Sequence, residues 1–246
     1  MTTSTLPTKD CFLKSHKNRI HIYKMKTFNL AEENSLLHRF VAELRNVNIQ
    51  NDSMRFRRNI ERIGEIMAYE ISKTLDYKVK NIQTPLGIAP TELEEDKVVL
   101  ATILRAGLPM HHGFLNYFDR AENAFVSAYR KYIDEEHFDI HMGYLTTPDL
   151  TDKTLIIIDP MLATGSSMEI AYEALQRFGK PKSVHIASVI ASKPALKYLE
   201  EHLPEEVSIW VAALDNTINS HSYIVPGLGD AGDLAYGHKL DHGAKH

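Results

Sequence analysis

The sequence contains a single cysteine, Cys11, among 246 residues, so an intramolecular disulfide and a cysteine-based zinc site are both excluded. That scarcity fits a reducing compartment, and a cytoplasmic protein is expected. No apolar run approaches the ~18 residues of a membrane helix, and the opening MTTSTLPTKD has no apolar signal core. Neither secretion nor a membrane partner is therefore expected. Positive charge is not in excess either: 28 Lys and Arg against 32 Asp and Glu leave a formal net charge of −4. A general nucleic-acid binder needs a basic face, so nucleic acid is not an expected partner, though a local basic pocket stays open. Internal repeats and Gly/Ser-rich linkers are also missing, which leaves no composition break to divide the chain.

One glycine pattern invites a false reading. Gly227-Leu-Gly-Asp-Ala-Gly232 matches the G-x-G-x-x-G of dinucleotide-binding folds. That fingerprint works only after a strand, at the start of a helix, and within a βαβ unit. Only fourteen residues follow Gly232, too few for a helix and a second strand, so these glycines serve another purpose.

What is present reads as an α/β domain. VVLATIL (98–104), AFVSAY (124–129), TLIIID (154–159), SVHIASVIA (183–191) and VSIWVAAL (207–214) are Val- and Ile-rich runs without clean alternation, as expected of strands covered on both faces. Helical stretches at 166–179 and 193–203 separate the last three, which predicts right-handed crossovers and a largely parallel sheet. Residues 52–75 carry Phe56, Ile60, Ile63, Met67, Ile71 and Leu75 on one helical stripe, with Asp52 or Ser53 as cap. The arginines of that helix (Arg55, Arg57, Arg58, Arg62) are read as a solvated face. Residues 1–50 are polar, then helical through Leu36, Leu37, Phe40, Val41 and Leu44. They are expected to form an N-terminal arm packing on the domain or on a partner subunit, with the domain proper at 51–246. Residues 131–150 are mixed and poorly periodic, and suit a projecting hairpin or flap.

In an open parallel sheet, ligands bind beyond the carboxyl ends of the strands. TLIIID ends in an acid, and Pro160-Met-Leu-Ala-Thr-Gly-Ser-Ser167 then leads into a helix. Free amides at that helix start, with hydroxyls from Thr164, Ser166 and Ser167, suit a phosphate. A capped helix with Thr164 as N-cap is the plain alternative. It is not a P-loop, since no Lys follows Gly165. Asp159 adds an acid able to face ribose hydroxyls. Arg105 follows VVLATIL and Arg130 follows AFVSAY, so each can bring a guanidinium to a second anion or pair with a surface acid. His111-His112 and the tail histidines His238, His242 and His246 are not spaced as a metal site.

LIIIDPMLATGSS (155–167) resembles the substrate loop of type I phosphoribosyltransferases, and its DPMLATG form resembles that of the uracil phosphoribosyltransferases. ILRAGL (103–108), AYR (128–130) and YIVPGLGDAGD (223–233) match the same family in the same order, so the resemblance spans roughly residues 50–240. It implies the type I phosphoribosyltransferase fold: a largely parallel central sheet flanked by helices, a hairpin flap, and a C-terminal base-binding hood. It implies pentosyl transfer from 5-phospho-α-D-ribose 1-diphosphate to uracil, giving UMP in pyrimidine salvage. Asp159, Pro160, Met161, Leu162, Ala163, Thr164, Gly165, Ser166 and Ser167 would hold the 5′-phosphate and ribose. Arg105 and Arg130 would hold the diphosphate. Ile224, Gly229, Asp230 and Ala231 would bind uracil, with Asp230 reaching the ribose side through magnesium or water. Arg105, Asp159 and Asp230 are the expected catalytic residues. Magnesium carried on the diphosphate and a homo-oligomer, dimer or tetramer, belong to the same expectation, as does GTP binding, which has no motif of its own here. The sequence departs from the family at Ser166, where a second Gly is usual. Pro109, His111 and His112 remove an acid near Arg105, and Leu234 replaces a basic residue. Two other readings compete: a regulator of this fold that senses phosphoribosyl diphosphate with little or no catalysis, and a transferase for another base.

Overall fold

Alternation hidden inside continuous apolar runs builds the core. The computed structural model describes residues 25–132 and 138–238, with 128–132 and 138–142 described by their backbone alone. In β4 (Val98–Ile103), Val98 and Leu100 face one hydrophobic cluster while Val99, Ala101 and Ile103 face another. The same split divides Ile156 and Ile158 from Leu155 and Ile157 in β7 (Thr154–Ile158). Successive side chains point to opposite faces of a sheet. Both faces are covered here, so every residue of both strands is buried and the sequence cannot alternate.

The sheet runs β1 (Lys26–Asn29), β10 (Ser208–Asp215), β9 (Ser183–Ser192), β7, β4, β5 (Glu122–Tyr132), β6 (Phe138–Thr146), with the short β8 (Met161–Leu162) also on β9. All pairings are parallel except β5–β6, which form the hairpin expected for the flap. Residues 133–137, its middle, lie outside the described residues. One face is covered by α1 (Leu37–Arg45), α2 (Ser53–Ser72) and α3 (Leu108–Leu115), the other by α4 (Ser166–Leu175) and α5 (Lys193–His202).

Asp52 caps α2 by accepting from the amides of Met54 and Arg55, both at 3.1 Å. Phe56, Ile60, Ile63, Met67 and Ile71 are buried, as their spacing predicts. The described part of the N-terminal fifty residues packs on the domain. Leu37, Val41 and Leu44 of α1 enter the core, and β1 adds an edge strand to β10. There the Phe28 ring stacks on Trp210 at 3.9 Å, and the Trp210 indole N–H donates to Nδ1 of buried His185 at 3.2 Å. Residues 1–24 lie outside the described residues. The sequence reading did not anticipate β1, nor the hairpin of β2 (Tyr77–Thr84) and β3 (Gly87–Glu94).

Candidate active site

The carboxyl ends of β7 and β4 bring two of the expected anion-binding groups to one rim. After Ile158 the chain stays tied to β9: the Asp159 amide donates to the Ala187 carbonyl at 3.1 Å, and the Ser192 hydroxyl donates to the Ala163 carbonyl at 2.6 Å. Between these ties β8 pairs with Ile190 and Ala191. Gly165 then turns the chain with φ of +90°, a left-handed conformation that side-chain-bearing residues rarely adopt, and opens α4 as its N-cap. Thr164 is therefore not the cap expected from the plainer reading. Its hydroxyl lies 2.9 Å from that of Ser166, and α4 has no side-chain cap bond. The first intrahelical donors are Met168 and Glu169, both to the Gly165 carbonyl, so the amides of Ser166 and Ser167 precede the helix ladder. Unladdered amides, two adjacent hydroxyls and the positive end of a helix dipole suit a phosphate. The serine at 166 leaves that arrangement intact, since its contribution is an N–H and a hydroxyl.

Asp159 stands at the mouth of this loop. Burial pushes its carboxyl up to about 7, against the opposing donation from the Met161 amide at 3.3 Å. A carboxyl that changes charge near neutrality is poised to accept from sugar hydroxyls once a ligand's donors surround it.

Arg105 sits just past β4, beyond a cis Leu104–Arg105 peptide. Its Nη2 donates to Asp233 Oδ1 at 3.1 Å and to the Gly237 carbonyl at 3.4 Å, so the GDAGD segment is brought against the β4 loop from 128 residues away. Arg130 stands on β5 opposite Ile140, and its description stops at the backbone. The remaining departures from the family pattern point inward or away. Pro109 starts α3. His111 is 4% exposed beside Phe125, and burial lowers its pKa, which keeps the ring neutral. His112 is exposed, and Leu234 packs on the core. Among the described residues no group of three His, Cys, Asp or Glu side chains could hold a metal.

The hood is a backbone feature held by side chains from the other end of the chain. β11 (Thr217–Ile218) and β12 (Ile224–Val225) pair antiparallel, a cis Val225–Pro226 bond follows, and Asp230 caps α6 (Ala231–Tyr236) by accepting from the Asp233 amide at 3.0 Å. Gly229 has φ of +91° with nothing nearer to a would-be Cβ than Leu234 at 3.7 Å, so its conformation, not the space, demands glycine. Ile224 and Ala231 share one core cluster with Ile158 and Ile190, which anchors the hood to the face of the sheet that α1, α2 and α3 cover. Arg45 grips Asp215 through two 2.8 Å bonds and reaches the Gly227 carbonyl at 3.0 Å, while Asp215 accepts from the Gly227 amide at 3.0 Å. Gln50 donates to the carbonyls of Leu44 and Leu228 at 2.8 and 2.9 Å.

Sequence reasoning missed Arg45, Gln50 and Asp215. Asp215 could have been found, because like Asp159 it is the acid at the end of an apolar strand. The α2 arginines also need correction in part. Arg55 and Arg58 pair with Glu43 and Glu61, and Arg62 lies over Phe40. Arg57, however, donates to the Ala235 carbonyl of α6 at 2.6 Å, so it braces the hood and is not simply solvated.

Known proteins resemble this chain in sequence and in fold. The sequence pattern of the family described as uracil phosphoribosyltransferase matches residues 31–238. A uracil phosphoribosyltransferase from Porphyromonas gingivalis is 65% identical over 216 residues, 88% of this chain and 100% of that protein. One from Methanothermobacter thermautotrophicus is 40% identical over 192 residues, 77% of this chain and 87% of its own. Among solved structures, the AQ2163 protein from Aquifex aeolicus superposes with a TM-score of 0.77 at 31% identity, covering 86% of this chain and 98% of that one. The chain belongs to the uracil phosphoribosyltransferase family.

Proposed function

We propose that this protein transfers the phosphoribosyl group of 5-phospho-α-D-ribose 1-diphosphate to uracil, releasing diphosphate and UMP. The observation that carries the reading is the meeting of three parts on one rim: the Asp159–Ser167 phosphate loop, Arg105, and the GDAGD hood. A uracil ring nitrogen forms its bond to the anomeric carbon as the bond from that carbon to diphosphate breaks, and the nitrogen's proton leaves. Such a centre passes through an oxocarbenium-like state, so the protein's task is to align the two substrates and stabilise the departing anion. The amides and hydroxyls of Thr164–Ser167 take the 5′-phosphate and Asp159 the ribose hydroxyls, while Arg105 and Arg130 take the diphosphate. The backbone at Ile224 and Gly229–Ala231 reads the uracil edge. Cytosine presents an amino donor where uracil has a carbonyl, and an unpaired buried polar group costs about 1–3 kcal/mol. The β5–β6 hairpin closes over the site and excludes water.

Magnesium supplies charge neutralisation on the diphosphate. A cation that keeps most of its water would be held by Asp230 through water. Among the described residues no helix is long and apolar enough to cross a membrane, and the cytoplasm is the proposed location. GTP binding belongs to the proposal, in an effector role. The chain is proposed to self-associate through the β2–β3 hairpin, which exposes Val79, Ile88 and a fully exposed Leu86. Leu86→Asp with Ile88→Asp should lower the mass measured by light scattering; an unchanged mass would remove the hairpin from the interface. The regulator alternative is not favoured, since the relatives carry the enzyme's name. Incubation with labelled uracil, phosphoribosyl diphosphate and magnesium should yield labelled UMP. Product only with another base would overturn the substrate, and none with any base would restore the regulator.

A further inference from the structure

We propose that Asp233 is a positioning residue for the transfer: it holds Arg105 as a resting counter-charge that the diphosphate must displace. The inference rests on the reading of Arg105 as a diphosphate ligand. One nitrogen of Arg105 is bonded both to Asp233 in the first turn of α6 and to the Gly237 carbonyl at its C-cap. The Asp233 carboxylate is itself oriented from the far side, where Oδ2 lies 3.1 Å from His238 Nδ1.

The helix does not need this acid for its cap, because Asp230 already fills that role. The loop around Arg105 does not supply one either: ILRAGL leads into an α3 whose first turn has no acid. The carboxylate beside the guanidinium therefore comes from the hood, and this is the contact that joins the two substrate regions through charge.

A diphosphate bound to the same guanidinium nitrogen would lie within ion-pair range of Asp233, where like charges repel. The guanidinium must turn from one anion to the other. With 43% of the Arg105 side chain exposed, that exchange needs no unfolding. When the diphosphate leaves, Asp233 recaptures Arg105 and opposes rebinding, so the hood contact favours product release.

The test compares wild type, Asp233→Asn and Asp233→Glu. Magnesium diphosphate affinity is measured by calorimetry, and kcat and KM are measured for both substrates. Asparagine is isosteric and keeps the amide that Asp230 caps. It should tighten diphosphate binding about three- to fivefold, the span of an exposed ion pair, lower the KM for phosphoribosyl diphosphate similarly, and lower kcat as release slows. Glutamate should restore wild-type values, and an Arg105→Ala background should abolish the asparagine effect. Unchanged or weaker diphosphate binding would overturn the proposal, as would a rise confined to the KM for uracil, which is what a merely structural Asp233 predicts. A wild-type protein that binds no diphosphate would overturn the reading of Arg105 itself, so the two failures can be told apart.

Discussion

The 159–167 loop and the C-terminal hood are two glycine-bearing backbone segments held in place by opposite means. The loop is nine consecutive residues, 159–167, fastened to the strand beside it by the Asp159 amide, the Ser192 hydroxyl and the β8 pairing. The hood has little sheet of its own. It is held by Arg45, Gln50 and Arg57, which lie 178–182 residues away in sequence. A loop built from contiguous chain depends on its own residues and on the one strand beside it. A hood clamped by distant side chains fails at positions that never touch the ligand.

The sharpest way to break this contrast is to damage the loop alone. Asp159→Asn should lower kcat/KM for phosphoribosyl diphosphate about 10–100-fold, the worth of charge-assisted hydrogen bonds to the sugar. It should also stabilise the fold. With the folded carboxyl at about 7 and an ordinary value of 3.8, the folded state binds the extra proton between those limits. Wild-type stability therefore falls as pH rises through that window, and the penalty is complete above pH 7. At pH 8 the variant should gain about 1–2 kcal/mol, less than the full shift implies because Asp159 keeps some solvent contact. Thermal melts at pH 5 and pH 8 check the sign; equal gains at both would refute it.

Damage to the hood should look different. Arg45→Met leaves Asp215, with 7% of its side chain exposed, without its guanidinium. A loss of about 2 kcal/mol is expected, below the fully buried case, with the KM for uracil raised about tenfold and the affinity for phosphoribosyl diphosphate kept. Equal losses for both substrates would mean that the hood and the loop act as one unit. Gln50→Ala should have the smallest effect. It removes two bonds to carbonyls at an expected cost of about 1 kcal/mol, with a two- to threefold rise in the KM for uracil measured by steady-state kinetics.

The same contrast explains what the sequence made legible. Five apolar runs gave the central strands to within a few residues, because a strand buried on both faces needs an unbroken run. The phosphate loop was readable because strand, acid, turn and helix start are contiguous. The GDAGD segment was readable as a motif, but not its clamps. Arg45 ends an ordinary amphipathic helix, and Gln50 sits in a polar turn, so neither differs from a solvated residue until the chain folds. The β2–β3 hairpin escaped notice for a related reason. It contributes no buried residue to the core: all of β2 but Thr84 is exposed, and in β3 only Ala89, Thr91 and Leu93 are half-buried, so no buried face imprints a strong apolar pattern on it.

Trp210 is the sequence's only tryptophan, and it stands where β10 receives the edge strand β1, stacked on Phe28 and bonded to His185. Its fluorescence is thus a built-in gauge of that edge. Peeling β1 away would wet the indole and shift its emission to the red before the central strands let go. A spectroscopist could then separate fraying of the first strand from global unfolding without attaching a label.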